Sequence, residues 1–98
     1  MPPVTKYRSQ DRSQQIPTTG IVILTPNIDR VWAAFNNLGP GDIDIYWIAD
    51  DGVTVEGRLR LLSGGSLVLD SAMYWPGALS ATAVTALTTL VGVEVETI

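Results

Sequence analysis

The 98-residue sequence contains no cysteine and no histidine, a single lysine (Lys6) and a single phenylalanine (Phe35). Without cysteine there is no disulfide framework and no thiolate nucleophile. Without either residue there is no Cys/His zinc site and no imidazole acid–base catalyst. Histidine-based triads are excluded with them. Only 16% of residues are charged and no stretch approaches the ~18–20 apolar residues of a membrane-spanning helix. The N-terminus lacks the apolar core of a signal peptide, and a cysteine-free chain persists in either redox compartment. What is present is 46% hydrophobic residues, nine glycines, six prolines and a net charge of −4. That balance is too apolar for a wholly disordered chain and fits one folded domain that acts by binding, not as an enzyme.

The charge is unevenly spread. Residues 1–19 carry Lys6, Arg8 and Arg12 against Asp11, a net of +2. Residues 20–98 carry Arg30, Arg58 and Arg60 against nine acids, a net of −6. Pro2, Pro3 and Pro17 interrupt regular structure in the first segment. The sequence therefore predicts an extended N-terminal arm, 1–19, ahead of a folded body, 20–98. Lys6, Tyr7, Arg8 and Arg12 are the arm's candidate partner-binding residues, by charge pairing and by filling a pocket. Three cations on an acidic protein make a poor phosphate footprint, so nucleic acid is not an expected partner.

From Gly20 onward the pattern is β. Gly20–Thr25 is a continuous apolar run, which calls for cover on both faces, here by a neighbouring subunit. Arg30–Asn37 is a second run, closed by the turn-rich Asn36–Gly41. In Ile43–Ala49 the residues Ile43, Ile45 and Trp47 share one face. Asp50-Asp51-Gly52 is a hairpin signal, with Val53–Leu61 as an alternating return strand. Short strands follow at Leu67–Ala72 and Ala78–Thr82, then a loop near 83–87 and a closing strand from Thr88. That last strand is expected to place Val91, Val93 and Val95 on one face, with Glu94 and Glu96 outward. About seven short strands with turns every ten residues or so predict an antiparallel β-sandwich or partly open barrel.

Candidate chemistry is sparse. Asp42, Asp44, Asp50 and Asp51 lie close in sequence but lack the calcium-loop pattern, and no metal or other cofactor is expected. Ser63-Gly64-Gly65-Ser66 lacks nucleophile-elbow spacing, and nothing singles out a carboxylate pair for glycoside hydrolysis. Trp32, Trp47 and Trp75 are first of all core residues. Tyr74 and Trp75, in a Pro-Gly loop, are the better surface candidates for partner or carbohydrate contact.

Taken in order, Asn27–Arg30, Asn36-Asn37, the aromatic strand, Gly57–Leu61, Ser63–Ser66, Tyr74–Gly77 and the Val/Glu terminus resemble the small β-sandwich virion proteins of tailed bacteriophages. These include capsid cement (decoration) proteins, head fibres and tail accessory domains. The resemblance spans residues 27–98 and brings no catalytic residues. It implies a structural role in the virion: a homodimer or homotrimer on the outside of a capsid shell, bound to the major capsid protein or another virion protein, its arm crossing adjacent subunits. A head-fibre, tail or receptor-contact module is the first alternative. A carbohydrate-binding or metal-dependent module built on Tyr74–Trp75 and the Asp42–Asp51 stretch is the second.

Overall fold

Alternating side chains punctuated by glycine and aspartate turns force the chain to fold back on itself repeatedly. The computed structural model, which describes residues 5–98, shows nine strands and no helix among them. They are β1 Tyr7–Asp11, β2 Gln14–Ile16, β3 Ile21–Leu24, β4 Arg30–Gly39, β5 Ile43–Ile48, β6 Val55–Leu61, β7 Ser66–Leu69, β8 Ala78–Ala83 and β9 Thr88–Thr97. One sheet has the order β1-β9-β4-β7, with β2 also on β9, and the other the order β3-β8-β5-β6. Every pairing is antiparallel. From β2 onward the chain crosses between the sheets at every connection but the β5–β6 hairpin, as in a jelly roll, a double-sheet form of β-sandwich.

The core between the sheets is built from Ile16, Ile23, Leu24, Phe35, Ile43, Ile45, Leu61, Leu67, Leu69, Leu79 and Leu90, with small Ala33, Ala81 and Ala83 between them. Trp47 and Trp75 pack against its rim, half-buried. Phe35 lies over Gly92, its β-ladder partner, in the space that a Cβ there would occupy. The glycine is therefore what lets the ring into the core. The Asp50-Asp51-Gly52 turn forms as the sequence predicts. Asp51 Oδ1 accepts the amides of Val53 and Thr54 at 2.8 Å each, and Gly52 takes φ +76°.

Asn37 ties several turns together. Fully buried, it donates from Nδ2 to the carbonyls of Gly41 and Leu61, both at 2.9 Å, and accepts the Gly39 amide on Oδ1. Its backbone exchanges hydrogen bonds with Gly64 and Gly65. The Asn-Asn motif is thus a junction between two turns and the end of β6.

Four expectations need correction. The segment assigned to a separate arm forms β1 and β2 at the edge of the first sheet, both paired to β9, and Ile16 enters the core. Residues 1–4 of that segment lie outside the described residues. Second, Glu94 and Glu96 face inward, not outward, and Val91, Val93 and Val95 occupy the outer face. Their partners, the buried Arg30 together with Arg8, Gln10, Arg12 and Asn27, lie on the inner side and invert the expected orientation. Third, the alternating run after the hairpin begins as a strand at Val55 and is an edge strand, with only Leu61 buried. Fourth, the run from Gly20 is not covered on both faces. Its strand, β3, is an edge that buries Ile23 and Leu24 and leaves Ile21 and Val22 exposed, with a bulge between Val22 and Leu24.

Candidate functional site

Two features of the first sheet stand out, one on each of its faces. On the inner face, near one end of β9, lie Glu94 and Glu96, two residues apart and therefore on the same side. Both are buried. A buried carboxylate needs charged partners and hydrogen bonds, and both have them. Glu94 Oε2 accepts Arg30 Nε at 2.6 Å, and its Oε1 accepts Arg12 Nε at 3.0 Å. Glu96 Oε2 accepts Asn27 Nδ2 at 2.9 Å, and its Oε1 accepts Arg8 Nη2 at 2.9 Å and the Gln10 side-chain amide. In each carboxylate one oxygen faces the body and the other faces the N-terminal segment.

Arg30 is buried and spends its remaining donors on backbone. Nη1 reaches the carbonyls of Trp75 and Gly77, and Nη2 reaches that of Thr25. The same guanidinium thus neutralises Glu94 and holds the Trp75–Gly77 loop against β4. Burial pushes the Glu94 carboxyl up, but Arg30 and Arg12 outweigh it and hold it below the usual range. The Asn27 amide, then Arg8, hold Glu96 low as well.

On the outer face of the same sheet, β9 presents Val91, Val93 and Val95. Their ladder neighbours on β4 are Asn36, Ala34 and Trp32, and Ala34 pairs in turn with Val68 of β7. Trp32 is 38% exposed and Val68 42%. A shallow groove of about 400 Å³ runs along Ala34, Asn36, Val68, Val91 and Val93. No charged side chain stands among these outward positions of β4, β7 and β9, where a solvated sheet face would ordinarily be polar. Across β4, β7 and β9 the face is largely apolar, with Asp11 of β1 beside Val93 at its margin, and is suited to packing against protein.

The predicted site residues fall into two groups. Arg8 and Arg12 meet Glu96 and Glu94 of their own chain. Lys6 and Tyr7 are exposed beside them, and Tyr7 lies across from Thr97. Tyr74 is exposed, its hydroxyl donating to the Ile28 carbonyl, as expected of a surface residue. Trp75 is half-buried, donates Nε1 to the Ala78 carbonyl at 3.0 Å and packs on Gly77. The two loop aromatics therefore do not form one platform. The early aspartates are separately engaged: Asp44 with Arg60, Asp51 within its turn, and Asp42 with the Ser63 amide. Among the described residues no group of three His, Cys, Asp or Glu converges as a metal site would.

Of the outer-face residues, Ala34 and Val68 were not singled out from sequence, and Trp32, expected in the core, is on the surface. The valine alternation at 91–95 was visible but assigned to the interior. The signal that resolves it is Arg30, a charge within an apolar run that needs inward carboxylates.

No family model and no curated relative matches the chain. Its fold is similar to a solved structure described as "Bacillus endospore appendages form a novel family of disulfide-linked pili", at 14% identity and a TM-score of 0.58. The similarity covers 98% of this chain and 92% of that one, and at this identity the two chains share a β-sandwich fold and nothing finer.

Proposed function

We propose that this chain is a structural binding subunit of a protein particle, a capsid cement (decoration) protein of the tailed-phage type. It packs its outer sheet face against the major capsid protein or another copy of itself. The observation that carries this reading is the apolar stretch of outer face that Trp32, Ala34, Val68, Val91, Val93 and Val95 form across β4, β7 and β9. Leaving such a face in water wastes burial at about 25 cal/mol per Å², and an 80–100-residue sandwich gains stability from covering it. The lack of cysteine and histidine is consistent with a protein that needs packing and not chemistry.

A second reading is favoured by the fold likeness to a pilus protein: a subunit of a filament. That neighbour is described as disulfide-linked, whereas this chain has no cysteine, so contacts between its copies would not be disulfides.

The test is location and copy number. An antibody against the chain should label the outside of capsids in electron micrographs, at hundreds of copies per particle. Labelling along free filaments favours the second reading. Labelling confined to the tail, at a few to dozens of copies, sinks the cement reading in favour of a tail module.

A further inference from the structure

We propose that β1 is an exchangeable strand: in the assembled state it leaves its own β9 and pairs with the β9 of a neighbouring copy, where Arg8 and Arg12 meet that copy's Glu96 and Glu94. The proposal deepens the assembly role above and rests on it.

Three observations carry it. First, β1 contributes nothing to the core. None of its five side chains is buried, and the first core residue of the described chain is Ile16 in β2. The strand is held by its ladder to β9 and by polar contacts at Arg8, Gln10 and Arg12. It can depart without opening the apolar interior.

Second, the carboxylates it binds remain anchored when it leaves. Glu94 keeps Arg30 and Glu96 keeps Asn27 through the Oε2 atoms, while the two Oε1 atoms lose their donors together. The vacated edge then presents unpaired backbone beside two half-satisfied carboxylates. A strand that fits must carry guanidinium groups four residues apart on one face, which is the spacing of Arg8 and Arg12. Another copy of this chain supplies that strand.

Third, strand pairing lapses between β1 and β2 at the exposed Ser13, just after Arg12, and there only the side-chain hydroxyl touches β9, at Gly92. A cavity of about 260 Å³ lies between residues 11–14 and strand β3, leaving room for the break to change direction. Exchange of an identical element preserves every contact and needs only such a hinge.

The absence of cysteine makes the test clean. The Ile98 amide donates to the Lys6 carbonyl and the Arg12 amide to that of Gly92. Tyr7 and Thr97 therefore form a non-hydrogen-bonded pair, in which side chains approach most closely. In the variant Tyr7→Cys, Thr97→Cys, oxidation of dilute monomer should close the link within one chain. Oxidation at a concentration where light scattering reports oligomers should shift most of the material to multi-chain bands on a non-reducing gel.

Oligomers whose disulfides all close within single chains overturn exchange and leave docking through the apolar face standing. Linked chains that persist when Val93→Lys is added support exchange and remove the face as the contact. A chain that stays monomeric at every concentration overturns both. Failure to link in dilute solution contradicts the β1–β9 pairing and overturns the proposal as well.

Discussion

Arg30 is the residue on which most of the polar interior converges. Its side chain, 2% exposed, meets Glu94 and three backbone carbonyls. Removing one member of a buried ion pair costs about 3–5 kcal/mol, and Glu94, which would keep Arg12, puts this case toward the lower end. Arg30→Met should therefore lower the free energy of unfolding by about that much, seen at neutral pH as a lower urea midpoint at unchanged slope. Gly92→Ala should also destabilise, by about 1–3 kcal/mol, because the new methyl meets the Phe35 ring. The smaller ring site of Phe35→Leu should relieve part of that loss, so the two changes should be non-additive in a double-mutant cycle. Asn37→Ala strips buried donors from the carbonyls of Gly41 and Leu61 and should cost about 2–3 kcal/mol.

The acid behaviour follows from the same residues. Glu94 and Glu96 are held below their ordinary 4.5, and Asp44 below 3.8, the last chiefly by its hydrogen bond to Arg60. Each group is easier to ionise folded than unfolded. Their contribution to stability is complete above the unfolded values and disappears as pH falls through the folded ones. With no histidine to titrate near neutrality, denaturant midpoints should be level from about pH 8 to about pH 5 and decline below about pH 4. Glu96→Gln should make that decline shallower.

Among the elements, β1 is the least committed. It lies at a sheet edge with exposed side chains, whereas β9 beside it is paired on both sides. Local opening is easiest where few apolar contacts resist it. Hydrogen exchange should find the β1 amides that bond β9 less protected than those joining β4 and β9. Equal protection across the sheet would mean that β1 opens only with global unfolding. The strands from β3 to β9 were legible because turn signals such as Asp51-Gly52 and Gly64-Gly65 sit between runs with their own alternation. β1 and β2 were not, since Tyr7–Asp11 is polar after its first residue and becomes a strand only through a partner more than eighty residues away. The same distance concealed the inward turn of Glu94 and Glu96: their partners Arg8, Arg12, Asn27 and Arg30 are scattered over the first third of the chain. Of the candidate site, Arg8 and Arg12 were identified as pairing groups, but the carboxylates they pair with in this fold belong to the chain itself.

At the scale of the whole molecule, the two faces of the first sheet divide the work. The inner face carries the core and the buried ion pairs, and the outer face offers Trp32, Val68 and the valines of β9 for docking. Val93→Lys places a charge in the middle of that outer face without touching the interior. It should leave the far-ultraviolet spectrum and the denaturant midpoint close to those of the parent while weakening self-association or particle binding at least tenfold, read by sedimentation. A variant that associates as tightly as the parent would rule this face out as the contact.

The place of β9 in the order of synthesis has a further consequence. It bonds β1, β2 and β4, yet it is the last strand of the nine to be made. A nascent chain can assemble β3, β5, β6 and β8 on the ribosome, but the opposite layer is only the β4–β7 pair until Thr88–Thr97 emerges. Until then Phe35 and the leucines of β7 have no completed wall to close against, and the N-terminal residues have nothing to pair with. A ribosome stalled before Thr88 would hold out a half-built sandwich with its oily side open, a substrate for chaperones. The structure therefore makes the arrival of β9, and not the growth of the chain before it, the event that commits these strands to their fold.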